Sequence, residues 1–191
     1  GLQVWNGDVL ACDTDQDFGN PAETLRPMTI TGARNGRFSG KVVVGSTKAI
    51  AGLKVTPSDL KSGKSVIPAE RVQIRYGLPW GHESLTDDNY TPQELPYPSL
   101  AYALSMLAEE APAEIPVRKA EVLSYGSSLR RPGQPAPVPG AVVPVWVTLH
   151  VPKAVEAGLY TGKITIQAAG ERPVEVPVEL NVADWALPDP A

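Results

Sequence analysis

The stretch "RPVEVPVELNV" (residues 172–182) decides the fold class of this protein. Apolar side chains occupy every second position from Val174 to Val182, and Glu, Pro and Asn lie between them. A period of two is expected for a β-strand that buries one face and exposes the other to water. Proline cannot donate a backbone hydrogen bond to a neighbouring strand, so Pro177 predicts that this strand lies at a sheet edge or carries a bulge there.

Two stretches before it repeat this alternation. They are "LYTGKITIQA" (residues 159–168) and "VVPVWVTLHV" (residues 142–151), and in the second the odd positions from Val143 to Val151 are apolar. The connection "AAGER" (residues 168–172) is short enough for a hairpin. We therefore predict that the three strands form a meander of antiparallel neighbours.

The N-terminal half contains shorter stretches of the same kind, separated by Gly, Pro and Ser. The chain has 20 prolines and 17 glycines, which is typical of many short elements joined by turns. Seven or more such strands predict an all-β fold, a two-sheet antiparallel β-sandwich of immunoglobulin-like type with long irregular loops. The N-terminal stretches are "MTITGAR" (28–34), "GKVVVGS" (40–46), "GLKVTPSDL" (52–60) and "ERVQIRYG" (70–77).

One stretch fits a helix better than a strand. In "PSLAYALSMLAEEAP" (residues 98–112), Ser99 is a suitable N-cap, and Leu100, Leu104 and Leu107 would share one helical face. We expect at most this one short helix in the domain.

Composition excludes several classes of function. The 17 basic and 21 acidic side chains give a net charge of -4, which has the wrong sign for a protein that neutralises nucleic-acid phosphates. One cysteine, Cys12, and two histidines, His82 and His150, supply neither an internal disulfide nor a zinc site. No stretch has eighteen consecutive apolar residues, so we expect no membrane span. We also expect no cofactor.

The acidic stretch "ACDTDQDFGN" (residues 11–20) leaves three functions open. Asp13, Asp15 and Asp17 could bind a cation, supply an acid and a base for hydrolysis, or lie in a solvated loop. Compared with a calcium loop of the EF-hand type, only the first three ligand positions match, because position 6 is Phe18 and position 12 is Thr24. We therefore predict a solvated loop with no metal site and no catalytic residue.

Aromatic residues suggest binding of another kind. Trp80, His82, Tyr90 and Tyr97 fall in the long polar stretch 77–100. Exposed aromatic rings can stack on the apolar faces of sugars, and the same rings can instead pack a loop onto a sheet.

Trp146 stands apart from that group, because it occupies an even position on a strand whose odd positions are apolar. It should point away from the core together with Thr148 and His150, and we expect another part of the protein to cover it.

The residues also resemble a known family. The segment "PVWVTLHVPKAVEAGLYTGKITIQAAGERPVEVPVELNVADWALP" (residues 144–188) resembles the end of the N-terminal β-sandwich domain of glycoside hydrolase family 123. The stretches "ITGARNGRFSGKVVVGS" (30–46) and "GLKVTPSDL" (52–60) are similar to early strands of that domain. Gly36 differs, since relatives carry an acidic residue after "ARN", and the stretch 77–100 has no counterpart.

The resemblance implies a non-catalytic accessory domain at residues 1–183, followed at 184–191 by the start of a linker to a (β/α)8 barrel. In that family the catalytic acidic pair lies in the barrel and removes terminal N-acetylgalactosamine, so this chain would not itself be an enzyme. Trp146, His150 and Trp185 would lie at the domain interface. We expect a secreted or periplasmic parent protein. The alternative is a carbohydrate-binding module that uses Trp80, His82, Tyr90 and Tyr97.

Overall fold

The computed structural model describes residues 1–15, 17–20, 22–80, 103–118 and 140–189. In these ranges the chain forms thirteen β-strands and one short 3-10 turn, Ala69–Arg71, and no α-helix. No helix long and apolar enough to cross a membrane occurs in the same ranges. The strands are β1 Gln3–Gly7, β2 Met28–Arg34, β3 Gly36–Ser46, β4 Ile50–Ala51, β5 Lys54–Pro57, β6 Leu60–Ser62, β7 Ser65–Ile67, β8 Val72–Leu78, β9 Met106–Ala108, β10 Glu114–Ile115, β11 Ala141–Val151, β12 Gly158–Gln167 and β13 Val174–Ala186.

Two main sheets form a sandwich, as predicted. The first sheet has the order β1-β3-β11-β8-β9, and the second has the order β2-β13-β12-β6-β7, with β5 also paired to β12. Strands β4 and β10 form a small sheet of their own. The pairing is antiparallel except between β2 and β13, which run parallel. The second sheet is therefore mixed, where the sequence predicted only antiparallel neighbours, and the first sheet is antiparallel as predicted.

The core consists of the apolar positions that alternate along the strands. The odd residues of β11 from Val143 to Val151 are all buried, and on β13 so are Val176, Val178, Leu180 and Val182. Removing a side chain of this size from water contributes about 1.5–3 kcal/mol. Burial between the two sheets is therefore the main stabilising term of the fold.

The predicted meander of three strands is wrong at one connection. Strands β12 and β13 pair as a hairpin, but β11 lies in the other sheet between β3 and β8. Alternation shows which face of a strand is buried, but both sheets of a sandwich bury one face, so the pattern does not assign a strand to a sheet.

The predicted position of Pro177 is also wrong. Strand β13 lies between β2 and β12, and its bulge falls at residues 183–186 rather than at the proline. Pro177 is opposite Lys163, whose backbone N–H and C=O both bond to Ser58, on the side away from β13. This is a non-hydrogen-bonded pair, so the proline nitrogen points toward β2. Pairing with β2 begins only at Val178, so the missing donor costs no bond in the sheet.

The predicted helix is contradicted in the part that the structure describes. Met106–Ala108 form strand β9, which pairs with β8 at the edge of the first sheet. Leu104 is buried beside Val43 and Val142, whereas Leu107 is 41% exposed, so the two leucines do not share a face. Ser99 and Leu100 lie outside the described residues. Pairing with an open sheet edge has outweighed local helix propensity.

One buried hydrogen bond joins the two sheets. The Tyr76 hydroxyl on β8 accepts the backbone N–H of Val55 on β5 at 3.2 Å, inside the core. Burial raises the pKa of Tyr76, and the bond to Val55 opposes the increase. The hydroxyl is therefore a stable neutral partner for a buried amide.

The Tyr76→Phe variant should lower the free energy of unfolding by about 1–2 kcal/mol, because it leaves the buried N–H of Val55 without an acceptor. Urea unfolding measures the loss, and faster amide exchange at Val55 would localise it. Tyr160→Phe is the matched control. The Tyr160 hydroxyl lies 2.7 Å from Ser65 Oγ and 2.9 Å from the Glu156 carbonyl, and these partners can bond water instead. Equal losses in the two variants would contradict the prediction.

Candidate functional site

The outer face of the first sheet carries Trp146 at its centre. On β11 its cross-strand neighbours are Lys41 on β3 and Arg75 on β8. The indole is half-buried, and Lys41 Nζ lies 5.3 Å from its ring centroid, in cation–π range. Trp146 therefore points away from the core, as predicted, and Lys41 covers part of its ring. That another domain covers the rest remains a prediction.

Lys41 is fully buried although it belongs to the outer face. Its Nζ lies 2.6 Å from Asp13 Oδ2 and donates to the Ala11 carbonyl at 2.9 Å. The segment around Asp13 therefore lies over the sheet. Burial raises the pKa of Asp13, the hydrogen bond and charge of Lys41 oppose that increase, and the nearby charge of Asp17 adds to it.

The prediction of a solvated acidic loop holds for Asp17, which is exposed, and is wrong for Asp13 and Asp15, whose side chains are largely buried. Asp13 pairs with Lys41, Asp15 pairs with Arg118, and both carboxylates are 13% exposed. Asp17 accepts the backbone N–H of Thr14 at 2.7 Å. Within the described ranges no three His, Cys, Asp or Glu side chains are grouped to hold a metal ion. The ion pairs of Asp13 and Asp15 therefore fasten the loop to other parts of the chain, and Asp17 bonds within the loop.

A basic cluster lies further along the same face. His150 is the cross-strand neighbour of Arg37, and its Nδ1 is 3.4 Å from Arg71 Nη1. Between this pair and Trp146, the hydroxyls of Ser39 and Thr148 lie 2.8 Å apart. The outer face therefore offers an aromatic ring, hydroxyls and cations in successive cross-strand rows. Such a mixed surface suits contact with another protein surface.

Trp185 lies on the other sheet but near the same end as His150. It falls in the bulge of β13, where Ala183 is opposite Ala33 and Ala186 is opposite Arg34. Bulges often re-aim a side chain, and here the indole is 57% exposed. Residues 184–186, predicted to begin a linker, still belong to β13, and the domain boundary itself remains a prediction.

Trp80 is the one predicted sugar-stacking residue that the structure describes. Its ring is 68% exposed, its backbone N–H donates to the Ala103 carbonyl at 2.8 Å, and its own carbonyl accepts from Ser105 Oγ. The backbone is thus fixed while the ring faces outward. His82, Tyr90 and Tyr97 lie outside the described residues.

A shallow cleft of about 510 Å³ opens along strands β1 and β2, the edges of the two sheets. Asn6, Arg26 and Glu179 contribute to its polar lining, and no described residue that lines it is aromatic. The described lining therefore offers no ring on which a sugar would stack.

Three residues gave no functional signal in the sequence: Lys41, and Asn35 and Lys153, which contact residues 187–189 after strand β13. An outward lysine in the middle of a strand is typical of an exposed position, so Lys41 gave no signal. Asn35 is followed by Gly36, and Asn-Gly between two strands is a turn signal, but the pattern says nothing about distant partners. Lys153 lies in a polar connection and has no distinguishing pattern.

Comparison with solved structures identifies a similar fold. A family 123 glycoside hydrolase from Clostridium perfringens, studied for glycolipid glycan hydrolysis, matches 98% of this chain with a TM-score of 0.64 and 12% identity. The chain spans 28% of that hydrolase. AvmM, which catalyses macrocyclization in alchivemycin A biosynthesis, matches 93% of this chain and 91% of its own at 12% identity, with a TM-score of only 0.34. No protein-family model and no curated protein matches the sequence.

Proposed function

We propose that this chain is a non-catalytic accessory domain of a glycoside hydrolase and supports a (β/α)8 catalytic barrel. The observation that carries the proposal is the partial match to the family 123 hydrolase, in which nearly all of this chain corresponds to 28% of a larger protein. The resemblance of residues 144–188 to that family supports the same conclusion. The parent protein would be secreted or periplasmic and act on glycans ending in N-acetylgalactosamine.

The contact surface in this proposal comprises Trp146, His150 and Trp185. His150 and Trp185 approach the same end of the sandwich from different sheets, because the turn at Asn35 touches both Val151 and Leu187. Trp146 lies four residues from His150 along β11, about 13 Å at 3.3 Å per residue. A domain seated over this end could contact all three side chains, and tryptophan is a frequent anchor of such interfaces.

The second candidate, a carbohydrate-binding module, rests on the 68% exposure of Trp80. A large indole that is open to solvent on a fixed backbone can stack on a sugar ring. In this alternative the chain would bind glycans by itself, with His82, Tyr90 and Tyr97 as the other predicted contacts.

The test begins with the coding sequence beyond residue 191, where the proposal requires a (β/α)8 barrel. The barrel is then produced separately, and its affinity for this chain is measured by calorimetry. Trp185→Ala should weaken association about 30-fold, as expected for an aromatic anchor. Trp80→Ala is the matched control and should leave the affinity unchanged. The absence of a barrel, or an unchanged affinity of Trp185→Ala, would contradict the proposal.

A glycan array separates the two candidates. The accessory-domain proposal expects the isolated chain to bind no glycan on the array. Binding that Trp80→Ala abolishes would support the carbohydrate-binding module instead.

A further inference from the structure

The segment that follows strand β13 lies on the surface and is hydrogen-bonded to the sandwich. The Asn35 side-chain amide donates to the Leu187 carbonyl at 3.1 Å, to the Pro188 carbonyl at 3.4 Å and to Asp189 Oδ1 at 3.0 Å. The backbone N–H of Leu187 donates to the Arg34 carbonyl at 2.9 Å. The turn between β2 and β3 thus holds three consecutive residues of the exit segment.

Asn35 is itself fixed by the fold. Its φ of 63° lies in the left-handed region, which asparagine tolerates better than most residues. Its backbone N–H donates to the Val151 carbonyl at the end of β11, at 2.9 Å. Since β11 belongs to the first sheet and β13 to the second, this one residue ties the exit segment to both layers of the sandwich.

Gly36 provides the space for this contact. A Cβ atom at this position would lie 2.5 Å from the Phe38 ring and 2.9 Å from Leu187 Cδ1, both too close for a real contact. Gly36, the position at which this chain differs from the resembling family, therefore leaves room for Leu187 to pack over the turn.

A second anchor holds the end of the segment. Lys153 Nζ lies 2.7 Å from Asp189 Oδ2. The hydrogen bond and charge of Lys153, followed by the hydrogen bond from Asn35, lower the pKa of Asp189. The carboxylate is therefore ionised at neutral pH and accepts from both anchors.

We infer that Asn35, Gly36 and Lys153 form a rigid joint that fixes the direction in which the chain leaves the sandwich. The polar groups of a flexible linker bond to water. In this segment at least four polar groups bond to the sandwich instead. Trp185 lies in the bulge, two positions before Leu187, which is the first residue that the joint holds. The joint therefore also fixes the position of this indole relative to the exit segment. That it sets the position of a catalytic domain rests on the proposed function.

Relaxation of backbone 15N in the 191-residue chain tests the joint without a second domain. In the native chain the amides of Leu187 and Asp189 should show order parameters near 0.85, typical of rigid backbone. Asn35→Gly keeps the left-handed turn accessible and removes the amide, so the order parameter of Asp189 should fall below about 0.6. That of Leu187 should fall less, because its N–H remains bonded to the Arg34 carbonyl. Asn35→Asp should have the same effect, because a carboxylate cannot donate and would repel Asp189.

Lys153→Met should lower the order parameter of the Asp189 amide more than that of the Leu187 amide. Lys163→Met is its control, because Lys163 forms a similar exposed ion pair with Glu175 at 2.5 Å away from the joint, and it should change neither amide. Low order parameters in the native chain, or unchanged ones in Asn35→Gly, would overturn the inference.

Small-angle scattering of the parent protein, which contains this chain and the proposed barrel, then shows whether the joint positions a domain. The native protein should fit one arrangement of domains, and Asn35→Gly should require an ensemble. If the relaxation results hold but no barrel follows, the proposed function fails and the joint stands. If a barrel follows but Asn35→Gly leaves the scattering unchanged, the positioning role is wrong.

Discussion

Replacing Lys41 with methionine should lower the free energy of unfolding by about 3 kcal/mol at pH 7, and by much less near pH 4. Lys41 is fully buried, so methionine keeps most of its packing volume but leaves the Asp13 carboxylate without its cation. Removing one partner of a buried ion pair is costly, because the other charge remains out of water.

The pH dependence follows from the raised pKa of Asp13. Lys41 opposes that increase, so its removal raises the pKa further. A carboxyl whose pKa is higher in the folded protein contributes stability that is complete below its unfolded pKa and is lost as the pH rises through the folded pKa. The difference between Lys41→Met and the native protein should therefore grow from pH 4 to pH 7. Urea unfolding at several pH values measures it.

The double variant Lys41→Met with Asp13→Asn is the control. It contains no buried charge at this position, so most of the lost stability should return and the additional pH dependence should disappear. A double variant as unstable as Lys41→Met at pH 7 would show that the effect comes from packing around Trp146 rather than from the unpaired carboxylate.

Leu149→Ala should lower the free energy of unfolding by about 3 kcal/mol, within the range observed when a buried leucine is cut to alanine. Leu149 is fully buried on the inner face of β11, in the middle of the first sheet. Leu149→Ala leaves a cavity in the core. Because β3 and β8 flank β11, the surrounding structure cannot readily collapse into it.

Leu159→Ala is the matched control, because Leu159 also lies on a long strand but is 54% exposed. It should change stability by no more than about 0.5 kcal/mol. Thermal unfolding followed by circular dichroism is sufficient for the comparison. Similar losses in the two variants would mean that the assignment of the inner face is wrong.

Strand positions could be predicted from the sequence because alternation is a local property. The predicted stretches at 28–34, 142–151, 159–168 and 172–182 all correspond to observed strands. The direction of Trp146 followed from the same pattern. The helix prediction failed at Met106–Ala108, where an available sheet edge outweighed the spacing of the leucines.

The candidate site was less predictable, because its contacts join distant parts of the chain. Asp13 is 28 residues from Lys41 and Asp15 is 103 residues from Arg118, so no local spacing relates them. The three carboxylates resembled a ligand set in the sequence, but in the fold each is directed to a different partner. Asn35 and Leu187 are 152 residues apart and meet only because β2 and β13 run side by side.

The sequence by itself determined the all-β class, the buried face of each long strand and the outward direction of Trp146, because these depend on a period of two that neighbouring residues encode. Only the tertiary structure decided that β11 belongs to the first sheet, that Pro177 is harmless inside the second, that Lys41 is buried and that Asn35 holds the exit segment. Those features depend on which strands become neighbours, and that choice is made by packing energies between residues far apart in the chain.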